Sequence, residues 1–111
     1  MTGLRFVDLI PAENPAHLQK GVNVLLMVEN PGEEVTATVR FYGSDGAPWR
    51  EMYAQEYTFP GHTHIHAYFH LPSDCFRPEK WGDEEPEELS IWAGLTQPSS
   101  AQQGYLLFLE P

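Results

Sequence analysis

Ten prolines and nine glycines fall so evenly along the chain that no window of about 11 residues keeps the i, i+3, i+4, i+7 apolar spacing of a buried helix face. Period-two alternation recurs instead, in short runs that each end in turn chemistry. Seven such runs are legible: Leu4 to Leu9, Gly21 to Glu29, Glu34 to Tyr42, Glu51 to Phe59, Thr63 to Leu71, Leu89 to Leu95 and Gly104 to Leu109. The pattern predicts an all-β fold with almost no helix, a seven-stranded antiparallel immunoglobulin-like sandwich. At 111 residues the chain can bury one core but not two, so residues 1–111 are read as a single domain. An apolar fraction of 41% with 13% aromatics is ample for that core and excludes a disordered chain.

The turns carry specific expectations. Asn30-Pro31-Gly32 and Pro60-Gly61 place a glycine behind a proline, the order of a type II turn with φ > 0 at the glycine, and both read as hairpins. Ser44-Asp45-Gly46 reads as a side-chain-capped turn with its glycine in the left-handed region. Parity then sorts the faces. Val22, Val24, Leu26 and Val28 point inward, as do Val35, Ala37, Val39 and Phe41, then Ile65, Ala67, Phe69 and Leu71, and Leu89, Ile91, Ala93 and Leu95. The connection from Pro72 to Glu88 is anomalous, since its 17 residues exceed the roughly 12 to 15 of ordinary loops. It is an acidic loop before the sixth strand.

Three stretches carry a family resemblance: Gly21-Val22-Asn23-Val24 leading to Val28-Glu29-Asn30-Pro31-Gly32, the run Val35 to Phe41, and Phe59-Pro60-Gly61 followed by the strand ending Leu71-Pro72. Over residues 4 to 109 the chain resembles immunoglobulin-like domains of the bacterial cell-adhesion-related (CARDB-like) and fibronectin-III-like type. The resemblance implies a sandwich whose relatives bind, space or decorate, and it brings no catalytic residues. It does not account for the acidic loop or for the histidines.

Charge and cysteine content remove several classes of function. Sixteen acidic against six basic side chains give a net charge of −10, which repels nucleic acid and anionic membrane surfaces. The single cysteine, Cys75, excludes an internal disulfide framework and a Cys-only zinc site. The first thirty residues lack the basic and apolar regions of a signal peptide, and the longest apolar stretch is far short of the roughly 20 residues of a membrane span. These features predict a cytoplasmic or virion-surface protein. A start at Met1 fits a complete gene product and an expressed fragment alike.

The stretch from Gly61 to His70 holds four of the five histidines. With odd positions inward, His62, His64, His66, Tyr68 and His70 share the outer face, and same-side neighbours stand roughly 6 to 7 Å apart. Two imidazoles at i and i+2 can share a metal, so His62, His64 and His66 are candidate transition-metal ligands, with a further protein ligand to come from elsewhere. Glu56 of the preceding strand supplies a carboxylate in one register; in the other, Gln55 and Tyr57 flank the histidines and no carboxylate does. The competing reading is a protein-docking face. Leu25 and Met27 lie outward on the second strand, and with His64, His66 and Tyr68 they make a patch rich in aromatic and Met side chains. The N-terminal segment or the long loop folding over the patch is the alternative.

Phe76 and Trp81 of the acidic loop dock either on their own sandwich or on a partner chain, and in the latter case they join the partner-binding set. The acids Asp83, Glu84, Glu85, Glu87 and Glu88 lack the spacing of a calcium loop and read as a solvated run. No nucleophile elbow or phosphate loop is present, Cys75 sits where acids raise its pKa, and a sandwich this small leaves little chain to build a cleft. The expectation is therefore a non-catalytic interaction or structural module with a protein partner or a second copy. It needs no cofactor, and no small-molecule substrate is indicated. An accessory or decoration subunit on a viral or bacterial assembly fits. The alternatives are a metal-binding domain, with or without metal-dependent catalysis, and an adhesion-type domain excised from an extracellular protein.

Overall fold

The computed structural model describes residues 3–46, 48–99 and 102–111. Among them are eight strands: β1 (Arg5–Pro11), β2 (Ala16–His17), β3 (Val22–Asn30), β4 (Val35–Ser44), β5 (Arg50–Phe59), β6 (Thr63–Leu71), β7 (Glu88–Gly94) and β8 (Tyr105–Glu110). The described helical residues form only short 3-10 turns, at Leu18–Lys20, Ser73–Phe76 and Pro78–Lys80. The strands make two sheets, β1-β3-β6 and β2-β8-β7-β4-β5, facing each other as an all-β sandwich. Every pairing is antiparallel except β2 with β8. The seven runs all become strands, and the eighth strand, Ala16–His17, is too short to show alternation.

Burial follows parity. Val22, Val24, Leu26 and Val28 of β3 face Val39 and Phe41 of β4 and Leu89 and Ile91 of β7 in one core cluster, completed by Ile65, Ala67, Phe69 and Leu71 of β6. The rings of Phe41 and Phe69 meet between the sheets at 5.1 Å, edge to face. Val35 and Ala37, at the start of β4, are only half-buried. Met52, an even position that strict alternation along β5 would turn outward, is buried, because a register shift between Phe41 and Tyr42 leaves it without an opposite residue and turns it in beneath Gly43 and Trp81.

Two connections read as hairpins are corners between sheets. β3 and β4 lie in different sheets, as do β5 and β6, so the Asn30-Pro31-Gly32 and Pro60-Gly61 segments carry the chain across the sandwich. The two corners lie against each other. Asn30 is 2% exposed and bridges them: its Nδ2 donates to the carbonyls of Glu33 (3.0 Å) and Pro60 (2.9 Å), and its Oδ1 accepts from the Gly32 N–H (3.0 Å). The His62 N–H donates to the Gly32 carbonyl at 2.9 Å. A Cβ on Gly61 would lie 2.8 Å from Glu34 N and 2.9 Å from Gly32 O, so glycine is needed there for close approach. The positive φ falls instead on His62, at 56°. The β4–β5 turn is a hairpin as expected, with Gly46 at φ 98° and its N–H on Ser44 Oγ at 3.3 Å.

Asn14 fits against the outer edge of β8. Its Nδ2 donates to the Leu106 carbonyl at 3.1 Å and its Oδ1 accepts from the Phe108 N–H at 2.8 Å, after which β2 pairs with Leu109 and Glu110.

Candidate functional site

The outer face of β1-β3-β6 is laid out in rows by its two registers. Ile10, Leu25 and Tyr68 form one row, Asp8, Met27 and His66 the next, Arg5, Glu29 and His64 a third, and Asn23 lies beside His70 at the far end. Alternation drives this layout: β6 buries Ile65, Ala67, Phe69 and Leu71 and exposes His64, His66, Tyr68 and His70. Tyr68 is 75% exposed and Ile10 43%, with Leu25 half-buried between them. Glu29 reaches both neighbours, 3.4 Å from Arg5 Nε and 3.6 Å from His64 Nδ1. His70 Nδ1 lies 2.8 Å from Asn23 Oδ1. The face is thus apolar along the Ile10–Leu25–Tyr68 row, with polar groups in the rows on either side. Ile10 belongs to it as well; it lies one residue beyond the first run read from the sequence, whose strand extends to Pro11.

Of the residues singled out for docking, Leu25, Met27, His64, His66 and Tyr68 come together on this face. Phe76 and Trp81 do not. They are 2% and 5% exposed and belong to the protein's own core cluster. The long loop folds into one end of the sandwich: the Trp81 Nε1–H donates to the Cys75 carbonyl at 3.0 Å, the Cys75 thiol to the Met52 carbonyl at 3.2 Å, and Arg50 to the Lys80 carbonyl at 2.7 Å while lying over the Trp81 ring. Burying two large aromatics in this way holds an otherwise acidic loop against its own domain. Burial pushes the Cys75 thiol up, with Asp74 adding to the shift and Lys80 opposing it, so the thiol is a poor nucleophile.

The metal candidate does not assemble as drawn from sequence. The neighbour of β6 within its sheet is β3, so Glu56 of β5 lies in the other sheet, opposite Thr38. Neither Glu56 nor the alternative pair, Gln55 and Tyr57, flanks the histidines. His62 stands in the corner, with its Nε2 3.3 Å from Glu33 Oε1, outside the strand that carries His64 and His66. Among the described residues no group of three His, Cys, Asp or Glu side chains could hold a metal ion.

A cleft does exist, contrary to the expectation that so small a sandwich could not build one. It holds about 750 Å³ on the outer face of the five-stranded sheet, between the β4–β5 turn and the β7–β8 connection, with Trp49, Ser90 and Gln103 in its walls. Two connections folded toward each other make it, so the strand pattern gave no sign of it. No helix among the described residues is long and apolar enough to cross a membrane.

No family model and no curated protein sequence matches this chain. Solved structures do share its fold. A β-glucosidase from Erythrobacter marinus superposes with a TM-score of 0.72 at 19% identity, over 98% of this chain and 16% of that one. A β-glucosidase from Listeria innocua gives 0.63 at 13% identity, over 100% of this chain and 16% of that one. The β-D-glucoside glucohydrolase of Trichoderma reesei gives 0.63 at 14%, over 98% and 19%. The chain therefore spans less than a fifth of the enzymes it matches, and at these identities the likeness is one of fold.

Proposed function

We propose that this chain is a non-catalytic interaction module that associates through the outer face of β1-β3-β6, with a second copy as its partner. The row Ile10–Leu25–Tyr68 carries this reading, because three large side chains in register across three strands leave apolar area in water that a partner would cover. Charge favours a second copy. The molecule carries −10, yet on this face Glu29 already lies beside Arg5 and Asp8 is engaged by the Tyr105 hydroxyl, so two such faces meet with less repulsion than the net charge implies.

Sedimentation velocity over a concentration series tests it. Wild type should self-associate as its concentration rises. Leu25→Lys with Met27→Thr should remain monomeric with an unchanged melting temperature, since no core atom is removed. Wild type that stays monomeric at every concentration refutes the pairing.

The recurrence of this fold inside β-glucosidases favours a second reading, an accessory part of a larger enzyme of that kind whose remaining chain covers the same face. On either reading the isolated chain should hydrolyse p-nitrophenyl β-glucoside no faster than buffer. Turnover that a point substitution abolishes would overturn the non-catalytic reading.

A further inference from the structure

The cleft on the opposite face has a composition unlike the rest of the surface. Sixteen acidic and six basic side chains crowd a small molecule, yet none of the residues lining this cleft is charged. Two other clefts differ: one is lined in part by Asp74, Arg77 and Glu85, the other by Asp45, Glu84, Glu85, Glu87 and Glu88. Its walls are the amides Gln97, Gln102 and Gln103, the Ser90 hydroxyl, the prolines Pro48 and Pro98, and the Trp49 indole. Amides and hydroxyls both donate and accept, whereas charged groups do one or the other, so this lining suits a ligand whose own groups do both.

The indole is held in place. A Cβ on Gly104 would come 2.7 Å from Trp49 Cη2 and 2.7 Å from the Ile91 carbonyl, so the ring packs on bare backbone beside β7 and forms a fixed apolar wall. On the opposite side the connection is braced by the Gln102 N–H on the Ser99 carbonyl at 3.0 Å and by Gln102 Nε2 on the Gln103 carbonyl at 3.1 Å. The cleft's volume of about 750 Å³ lies within the roughly 300–1,000 Å³ of ligand sites.

We infer that this cleft binds an uncharged saccharide. A pyranose ring presents a C–H face that stacks on an indole and a rim of hydroxyls that both donate and accept, which is what Trp49 and the glutamines offer together. Charged sugars, phosphates and acidic or basic peptides find no counter-charge in the lining. The inference is independent of the docking reading, because the two faces lie on opposite sheets.

The test is isothermal titration of the full chain with cello-, laminari-, manno- and chitotetraose, with tetragalacturonate and decaproline as comparison ligands, and amide shift mapping of any binder. At least one neutral tetrasaccharide should bind with a Kd of about 1 mM or tighter. The shifts should centre on Ser90, Gln103 and Gly104. Trp49→Ala should weaken binding by about tenfold or more, and Gln97→Ala with Gln103→Ala by a similar factor, with Trp49→Phe retaining most of it should Trp49→Ala fail to fold. Binding by none of the four overturns the proposal. So does binding that these substitutions leave unchanged, or binding of decaproline or tetragalacturonate in preference.

Discussion

Replacing Asn30 by alanine should be among the most damaging single-atom-group deletions in this protein, although Asn30 lies at a turn and its side chain bonds to backbone groups. The amide makes three hydrogen bonds near 3.0 Å to backbone groups of both inter-sheet corners, and it is 2% exposed. Alanine leaves the Gly32 N–H and the Glu33 and Pro60 carbonyls without this partner. A fully buried orphan costs about 1–3 kcal/mol, and these partners are part-buried, so about 1 kcal/mol each and about 3 kcal/mol together is the expected loss. Domains of this size have about 5–15 kcal/mol in total, so the midpoint of urea unfolding should fall by a fifth or more at unchanged slope. Asn23→Ala is the control, because its bond to His70 is exposed and should be worth less than about 0.5 kcal/mol. Asn30→Asp sharpens the test: a carboxylate keeps the bond from Gly32 but faces two carbonyl oxygens, whereas its protonated form can donate to one of them. That variant should be relatively more stable at about pH 4 than at pH 7 when each is compared with wild type at the same pH. A loss under about 1 kcal/mol for Asn30→Ala would refute the idea that this side chain holds the corners together.

Phe41→Ala should cost about 3–5 kcal/mol by opening a cavity against Phe69, read as a lowered urea midpoint. The folded-state pKa of Cys75 is raised by burial, so the folded protein holds that proton more tightly than the unfolded chain. This contribution is whole below about pH 8.5 and is lost as pH rises through the folded value. Between about pH 7.5 and 9.5 the melting temperature of wild type should therefore fall more than that of Cys75→Ala. Chelation by EDTA should leave the melting temperature of tag-free protein unchanged, and elemental analysis should find no metal that His64→Ala removes.

The strands were legible because alternation needs only a few residues to declare itself, and the runs ending at Leu71 and Phe59 stop within a residue of the strands. Their connections were less so. A proline followed by glycine announces that the chain turns but not whether the next strand stays in the sheet, and at Gly61 the glycine serves contact with Gly32 and Glu34 while His62 takes the left-handed conformation. That one ambiguity displaced Glu56 from the histidines, because it decided which strand neighbours β6. The docking of Trp81 depended on Gly43 and Met52, 38 and 29 positions earlier, and no local pattern encodes such a meeting. The cleft depended on Trp49 meeting Gly104, which is equally non-local.

The placement of Asn14 bears on what kind of assembly this sandwich can build. On one flank, β8 is met by the Asn14 amide and β2, while β1 carries a register shift and has its Val7 carbonyl approached by the Tyr105 hydroxyl at 3.5 Å. On the other flank, β5 and β6 end their sheets with no further strand among the described residues. Strand-by-strand growth into a filament needs a giving and a receiving flank on every molecule. With β8 covered in this way, another chain's strand cannot add to β8 directly, so the contact between copies falls to the sheet faces. The Asn14 amide thus occupies, from a loop and without a strand of its own, backbone groups of β8 that would otherwise stand open as a template for a neighbouring chain.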